Sequence, residues 1–289
     1  MNLFLKGKEI MKNLKLFFAV ILLIAGTGFS QEVVDTVGSC SLFNSSTEVF
    51  HSTVVNDDYY IYISLPDDYE NSMRTYPVLY VLDGDVTFGM AASIARYLQI
   101  GEAIPELIIV GIGYGKTDES QGNKRVRDYS PFTERVIDII NGKSKFLEFM
   151  KNELLPYVES SYRTKTGENT LSGYSLSGLF AFYTFLTEPG LFKHYIVGSP
   201  YLAVNNFKIF DVQEETFNKT EDIDASIFIS VGSEESEEKY FNPIDEMVTR
   251  IEDKGYKSLK METKVFDGGT HLLCPPEVLS YGLVSVFGK

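Results

Sequence analysis

The sequence predicts an α/β protein with a mostly parallel central sheet, helices on both faces of the sheet and an antiparallel edge near the N-terminus. Strand-like and helix-like patterns alternate from residue 77 to the C-terminus, which is typical of parallel strands joined by helical crossovers. Several strands are continuous apolar runs, as expected where both faces are covered. The 289 residues, 44% of them hydrophobic, suffice for one such domain, which we expect over residues 48–289.

The N-terminal half of the domain contains the antiparallel edge and the first parallel strands. Residues 48–65 alternate apolar and polar side chains, which predicts one or two antiparallel strands ending at Pro66. The apolar runs 77–82 and 107–112 predict two buried strands, with a helix over 86–98 between them. Residues 116–143 are polar and predict a loop.

The C-terminal half continues the alternation. Residues 145–161 have apolar side chains at helical spacing. Further strands are predicted directly before Ser175 and over residues 195–198, 227–231 and 260–266. Further helices are predicted from Ser175 to about residue 187, over 243–254 and over 276–287. Residues 204–224 are polar and acidic, which favours a flexible cap or connecting loop over one end of the sheet.

The first thirty residues are typical of a secretory signal peptide. Lys12 and Lys15 precede a short apolar run, and Gly28 and Ser30 supply small residues at the −3 and −1 positions. Met11 is an alternative start. A bilayer-spanning helix needs about 20 residues, and the apolar run is shorter than that. We therefore prefer a signal peptide, with a membrane anchor as the second interpretation.

The N-terminal segment also bears on localisation. We expect cleavage after residue 30, an N-terminal arm over residues 31–47, no integral membrane span after cleavage, and a periplasmic or secreted protein.

The charge of the chain excludes some classes of partner. The net charge is −14, and loss of the first thirty residues, with their four lysines and one glutamate, makes it −17. Nucleic acids and anionic membranes need a basic patch, so we expect neither as a partner. Cys40 and Cys274 either pair in an oxidising compartment or remain two free thiols. No Cys/His cluster has zinc spacing, and we expect no metal or cofactor.

The segment Thr170-Leu-Ser-Gly-Tyr-Ser-Leu-Ser-Gly-Leu-Phe180 contains a candidate nucleophile. It reads as a strand, a sharp turn and an apolar helix, which is the arrangement of the nucleophile elbow G-x-S-x-G of α/β-hydrolases. Ser175 stands at the tip of the turn, where the first amides of the helix face its target. Ser177 replaces the closing glycine of the pattern, and Gly178 follows it.

A serine nucleophile needs a general base and an acid that orients the base. Of the three histidines, His271 follows the last predicted strand, whereas His51 lies in an edge strand and His194 begins a buried strand. The chain order Ser, acid, His places the acid after the strand 227–231. Glu235 is the first choice there, Glu234 is the second, and Glu237 and Glu238 are further alternatives.

The same pattern predicts an oxyanion hole, which needs two backbone N–H donors aimed at the developing charge. One donor is the amide of Leu176, directly after the nucleophile. The other comes from the turn Asp83-Gly-Asp85 after the strand 77–82, where we expect the amide of Asp85, with Gly84 as the alternative.

Over residues 50–288 the chain resembles the putative-esterase family of α/β-hydrolases, which includes esterase D-like enzymes, feruloyl and acetyl-xylan esterases, and siderophore esterases. The resemblance is carried by the segments 76–84, 110–113, 127–131, 146–157, 172–180 and 267–271. Val110-Gly-Ile-Gly113 and Arg127-Asp-Tyr-Ser-Pro131 are most similar to the siderophore-esterase branch. The resemblance implies an α/β-hydrolase fold, with Ser175 and His271 as the catalytic pair and the acid near Glu235.

Three functions are compatible with this reading. The first is a serine esterase that cleaves a small-molecule or glycan-linked carboxylic ester through an acyl-enzyme intermediate. The second is an acyltransferase on the same fold, and the third is a non-catalytic binding protein on a hydrolase scaffold. The acidic composition leaves few positively charged side chains to bind an anionic ligand, although Arg125 and Arg127 form one local cationic group.

Overall fold

The computed structural model describes residues 41–132, 139–140 and 143–288, which form a sheet wrapped by helices. The main sheet has eight strands: β1 (Ser45–Ser52), β2 (Asp57–Ser64), β3 (Tyr76–Val81), β4 (Ile108–Gly113), β7 (Thr164–Tyr174), β8 (His194–Gly198), β9 (Ser226–Gly232) and β10 (Lys260–Phe266). Between β4 and β7 in the chain, β5 (Ile139–Ile140) and β6 (Lys143–Ser144) form a separate two-stranded pair.

The strand order in the main sheet is β1-β2-β4-β3-β7-β8-β9-β10. β1 pairs antiparallel with β2, and β2 pairs antiparallel with β4, whereas every other neighbouring pair is parallel. The predicted mostly parallel sheet with an antiparallel N-terminal edge is therefore confirmed. β1 begins at Ser45, inside the range 31–47 in which we expected an arm. The predicted signal peptide and residues 31–40 lie outside the described residues.

Most helices lie in the connections between the parallel strands, and the last one follows β10. They are α1 (Gly84–Ile100), α2 (Arg125–Tyr129), α3 (Lys145–Phe149), α4 (Leu155–Ser161), α5 (Leu176–Thr187), α6 (Val204–Phe207), α7 (Ile209–Lys219), α8 (Asn242–Lys254) and α9 (Pro275–Phe287). A π-helical turn, Met150–Leu154, joins α3 to α4, so the predicted helix over 145–161 is continuous with one wide turn in its middle. A second π-helical turn, Glu237–Phe241, precedes α8.

Two hydrophobic cores lie on opposite faces of the sheet. Alternate residues of β3 show the division, because Val78 and Tyr80 pack into one core and Leu79 and Val81 into the other. Helices α1 and α9 cover the second face, and α3, α4, α5 and α8 cover the first. This two-sided burial explains the uninterrupted apolar runs that predicted the strands.

The expectation of a flexible cap or loop over residues 204–224 is wrong. The structure forms α6 and α7 there, and α7 packs against α5. The buried side of α7 is partly polar: Thr216 donates to the Leu186 carbonyl oxygen at 3.1 Å, and Gln213 accepts from Arg250 at 3.2 Å. Because these polar groups are satisfied internally, a helix could form from residues that the sequence pattern assigned to solvent.

None of the described helices is long and apolar enough to cross a bilayer. Cys274, directly before α9, is completely buried, and burial raises the pKa of its thiol to about 11. Cys40 lies outside the described residues, so a pairing of the two cysteines stays a prediction.

A buried ionic network ties the antiparallel edge to α2. The Arg127 guanidinium contacts Asp128 at 2.6 Å and Asp57 at 2.6 Å, and its Nη2 lies 3.1 Å from the Tyr59 hydroxyl oxygen. Asp128 also accepts from the hydroxyls of Tyr59 at 2.9 Å and Tyr114 at 3.0 Å. The Asp128 carboxylate therefore has donors on several sides although its side chain is only 3% exposed.

We predict that Arg127→Met destabilises the protein by about 3 kcal/mol or more, because it leaves the buried Asp128 carboxylate without its cation. Urea unfolding followed by circular dichroism measures the change. Lys219→Met is the matched control, since Lys219 pairs with Glu215 on an exposed helix surface and such pairs contribute about 0–1 kcal/mol. Equal, small losses in both variants would contradict the structural role of Arg127.

Candidate active site

The residues predicted to carry chemistry follow the ends of four strands. Ser175 comes directly after β7, Asp85 follows β3, Glu235 follows β9 and His271 follows β10. These four strands are mutually parallel, so their carboxyl ends lie at one edge of the sheet. The sheet topology therefore gathers all the predicted site segments at one edge.

Ser175 stands in the sharp turn between β7 and α5. Its backbone has φ 60° and ψ −118°, a conformation that non-glycine residues rarely adopt. Three hydrogen bonds hold the turn: the Ser175 N–H donates to the Gly198 carbonyl at 3.0 Å, and the Ser175 carbonyl accepts from the amides of Leu179 at 2.9 Å and Tyr201 at 3.0 Å. Neighbouring elements thus fix the strained backbone, which is expected of a nucleophile elbow.

The turn is so tight that two positions next to Ser175 have no room for a side chain. A Cβ atom at Gly173 would lie 2.2 Å from the Ser177 carbonyl oxygen, and one at Gly178 would lie 2.7 Å from the Gly198 carbonyl oxygen. The glycines that this elbow requires are therefore 173 and 178. Position 177 is buried but accommodates a serine, which explains how the chain departs from the G-x-S-x-G pattern.

Glu235 and His271 meet directly. The Glu235 Oε2 atom lies 2.6 Å from His271 Nδ1. The other carboxylate oxygen, Oε1, accepts from the Gly232 backbone N–H at 2.9 Å and from the Ser199 hydroxyl. The Glu235 side chain is fully buried, whereas His271 is 31% exposed.

Burial and hydrogen bonding act in opposite directions on the pKa of Glu235. Burial raises the pKa, but the hydrogen bonds from His271, Ser199 and the Gly232 amide outweigh it and hold the pKa below its usual 4.5. The alternative acids Glu234, Glu237 and Glu238 are exposed. Only Glu235 among these four glutamates contacts the imidazole.

Two tyrosines pack against the His271 ring. Its ring centroid lies 5.0 Å from that of Tyr174 and 4.6 Å from that of Tyr240. The Tyr174 hydroxyl donates to the His271 carbonyl at 2.8 Å. Burial raises the pKa of Tyr240, and an interaction of its hydroxyl with the Ser175 side chain opposes this shift, so Tyr240 lies near both the predicted base and the predicted nucleophile.

The two predicted oxyanion donors both belong to first turns of helices. Leu176 is the first residue of α5, and Asp85 is the second residue of α1. Amides in the first turn have no partner within the helix and are free to bind an anion. The Asp85 side chain is held separately, because its carboxylate accepts from the amides of Tyr114 at 2.6 Å and Gly115 at 2.8 Å.

Arg125 and Arg127, expected to form a local cationic group, have different roles. Arg127 belongs to the buried network with Asp57 and Asp128. The Arg125 fork binds both carboxylate oxygens of Asp83, Nε to Oδ1 at 2.8 Å and Nη2 to Oδ2 at 3.0 Å, and remains partly exposed. Both guanidinium groups are thus paired with carboxylates.

Three features of the site were not predicted from the sequence: the roles of Ser199 and Tyr240, and the bond between Ser177 and Asp83. Ser199 follows β8 with φ 38°, is fully buried and donates to Glu235. The role of Ser199 could have been predicted, because it is a polar residue directly after a buried strand. The sequence contains no comparable sign for Tyr240.

Among residues 41–132, 139–140 and 143–288, no three His, Cys, Asp or Glu side chains form a group that could hold a metal ion.

Comparisons with known proteins identify the family of this chain. The model of the family described as putative esterase matches residues 52–272. The ferri-bacillibactin esterase BesA of Bacillus subtilis is 28% identical over 248 residues, 79% of this chain and 84% of BesA.

Solved structures with the α/β-hydrolase fold are also similar to this chain. The BES protein of Bacillus cereus superposes with a TM-score of 0.75 at 24% identity, covering 88% of this chain and all of that chain. An IroE-like serine hydrolase of Shewanella oneidensis superposes with a TM-score of 0.73 at 26% identity, covering 84% and 80% of the two chains.

The lowered pKa of Glu235 predicts a specific dependence of stability on pH. The unfolded chain binds a proton at Glu235 near pH 4.5, and the folded chain does so at a lower pH. The stabilisation of the folded state by ionised Glu235 is therefore complete above about pH 5 and is lost as the pH falls through the pKa of Glu235 in the folded state. We expect the free-energy difference between the wild type and Glu235→Gln to shrink below about pH 4 in urea titrations.

The matched control for this measurement is Glu234→Gln, whose side chain is exposed. Its difference from the wild type should stay flat across the same pH range. A difference for Glu235→Gln that grows on acidification would contradict the assigned contacts of Glu235.

Proposed function

The chain belongs to the putative esterase family and is a carboxylic ester hydrolase; on this premise we propose that it is a serine esterase that works through an acyl-enzyme intermediate. The observation that carries the proposal is the buried Glu235–His271 bond at the same sheet edge as the strained Ser175 turn. Backbone strain and a buried carboxylate each have a stability cost, and both are typical of catalytic sites.

In the proposed mechanism, His271 is the general base. A carboxylate can only accept hydrogen bonds, so Glu235 selects the tautomer that carries its proton on Nδ1. The Nε2 atom is then free to take the proton of the Ser175 hydroxyl as the hydroxyl oxygen attacks the ester carbonyl. Glu235 stabilises the imidazolium that results, and its three donors keep it ionised during this step.

The same groups complete the reaction. The amides of Leu176 and Asp85 stabilise the negative charge on the tetrahedral intermediate. His271 gives its proton to the departing alcohol, which leaves an acyl group on Ser175. A water molecule, deprotonated by His271, then attacks the acyl carbonyl and releases the acid and the free serine. No metal or organic cofactor takes part in this scheme.

For the substrate we propose an ester of the siderophore class. The supporting observation is that the similar B. subtilis protein is a ferri-bacillibactin esterase. The surroundings of Ser175 suit an aromatic acyl group, because Tyr174, Tyr201 and Tyr240 form a chain of ring contacts with His271. We further propose that the mature protein is periplasmic or secreted, in keeping with its N-terminal segment.

We predict that Ser175→Ala lowers kcat for p-nitrophenyl acetate by at least about 10⁴-fold, because the mechanism has no other nucleophile. The purified variant should also lose labelling by a fluorophosphonate probe. Ser280→Ala, which removes an exposed hydroxyl on α9, should keep the wild-type rate and labelling. A folded Ser175→Ala protein that hydrolyses the ester at the wild-type rate would falsify the proposal.

The substrate proposal predicts a ranking of kcat/KM. A catecholate siderophore lactone should exceed feruloyl and acetyl-xylan esters by at least about tenfold, since discrimination follows contacts made in the transition state. Hydrolysis measured by liquid chromatography provides the ranking. A higher kcat/KM for either the feruloyl or the acetyl-xylan ester would contradict the proposed substrate class.

A second assay, with an alcohol that competes with water for the acyl group, distinguishes a hydrolase from a transferase, because only a transferase prefers the alcohol to water.

A further inference from the structure

The side chain of Ser177 occupies an unusual position in the elbow. Its hydroxyl has two acceptors within reach of its proton, Asp83 Oδ2 at 2.7 Å and the Tyr174 carbonyl oxygen at 2.9 Å, and it accepts from the Tyr174 backbone N–H at 3.0 Å. Ser177 is 1% exposed. A glycine at this position, as the G-x-S-x-G pattern requires, would make none of these contacts. The Ser177 hydroxyl thus links Tyr174, the residue before the nucleophile, to the carboxylate of Asp83, which lies 94 positions before Ser177 in the sequence.

Asp83 is itself held in a constrained conformation. It lies directly before α1, with φ 55° and ψ 40°, a left-handed conformation that is uncommon for residues other than glycine. Its N–H donates to the Tyr129 hydroxyl at 3.1 Å, and its carbonyl accepts from the amides of Val86 and Thr87. Asp83 begins the segment 83–85, here called the oxyanion loop, that contains the proposed donor at Asp85.

Arg125 completes the link. Its guanidinium binds both oxygens of Asp83 and restricts the rotation of the carboxylate. A carboxylate fixed in this way presents Oδ2 to Ser177 at a defined position. The result is a chain of side-chain contacts from Arg125 through Asp83 to Ser177, which joins α2, the oxyanion loop and the elbow.

We propose that Ser177 is a positioning residue that fixes the oxyanion loop relative to the nucleophile elbow. The inference rests on the proposed esterase function, in which one oxyanion donor comes from each of these two segments. Within the described part of the chain, the Ser177–Asp83 bond supplements the pairing of β3 with β7, which extends to the Leu82 N–H donating to the Ser172 carbonyl at 3.0 Å. It therefore sets how far the Asp85 amide lies from the carbonyl carbon attacked by Ser175.

The inference has a counterintuitive consequence: Ser177→Gly, which restores the G-x-S-x-G pattern, should impair this enzyme. An oxyanion donor displaced by about 1 Å costs on the order of 10²-fold in rate. We expect Ser177→Gly and Ser177→Ala each to lower kcat for p-nitrophenyl acetate by about 10- to 100-fold, with KM changed less than about threefold. Affinity for a boronic acid inhibitor should fall by a similar factor.

The measurement must separate positioning from a loss of folded protein. Rates are therefore expressed per active site titrated with a fluorophosphonate. Thr184→Val is the matched control, because Thr184 lies on the same helix, is fully buried and donates only to the Phe180 carbonyl. Thr184→Val should lower the Tm and leave kcat per titrated site at the wild-type value.

Asp83→Asn tests the other end of the bond and replaces the Ser177 variants if they do not fold. Its kcat should fall at least as far, because the change also removes the charged contact with Arg125, and adding Ser177→Ala should lower kcat by much less than it does in the wild type, because the Ser177–Asp83 bond is already disrupted. Wild-type kcat and inhibitor affinity in Ser177→Gly, or fully additive losses in the double variant, would overturn the inference.

Failure of the inference differs from failure of the proposed function. If the esterase proposal fails, the wild type hydrolyses none of the esters or Ser175→Ala retains the wild-type rate. If only the inference fails, the wild type and Ser175→Ala behave as expected and Ser177→Gly keeps the wild-type kcat.

Discussion

The strained backbone at Ser175 is the constraint on which the arrangement of the site depends. A residue with φ 60° between a buried strand and a buried helix persists only if the surroundings hold it. Here the end of β8 and the residues after it provide that support, because the Gly198 carbonyl and the Tyr201 amide both bind the Ser175 backbone. The absence of side chains at Gly173 and Gly178 lets the chain turn within this space. The elbow and the end of β8 are therefore one structural unit.

The buried carboxylates, like the strained turn, depend on groups from several structural elements. Glu235 and Asp128 are both buried carboxylates, and each is surrounded by several donors from different elements. The outcome differs, because burial dominates at Asp128 and raises its pKa, whereas hydrogen bonds dominate at Glu235 and lower it. A lowered pKa suits an acid that must stay ionised beside an imidazole. A buried network at α2 has no such requirement.

The sequence predicted the features that arise from local patterns. The strands and most helices followed from apolar periodicity, and the order of Ser175, Glu235 and His271 followed from their places after strands. The Ser177–Asp83 bond was not predictable, because it joins residues 94 positions apart through geometry that only the folded sheet creates. The helix over residues 209–219 was missed for a related reason. Its buried side includes polar groups whose partners lie on other helices.

For the siderophore ester proposed as the substrate, the charge distribution limits how an anion is recognised. The chain carries a net charge of −14, and the Arg125 guanidinium next to the site is neutralised by Asp83. Long-range attraction of an anion is therefore weak, and electrostatic steering contributes little to the association rate. Selectivity must come from short-range contacts. The tyrosines around His271 offer stacking surfaces that do not depend on net charge, and their contribution persists at high ionic strength, where attraction between charges is screened.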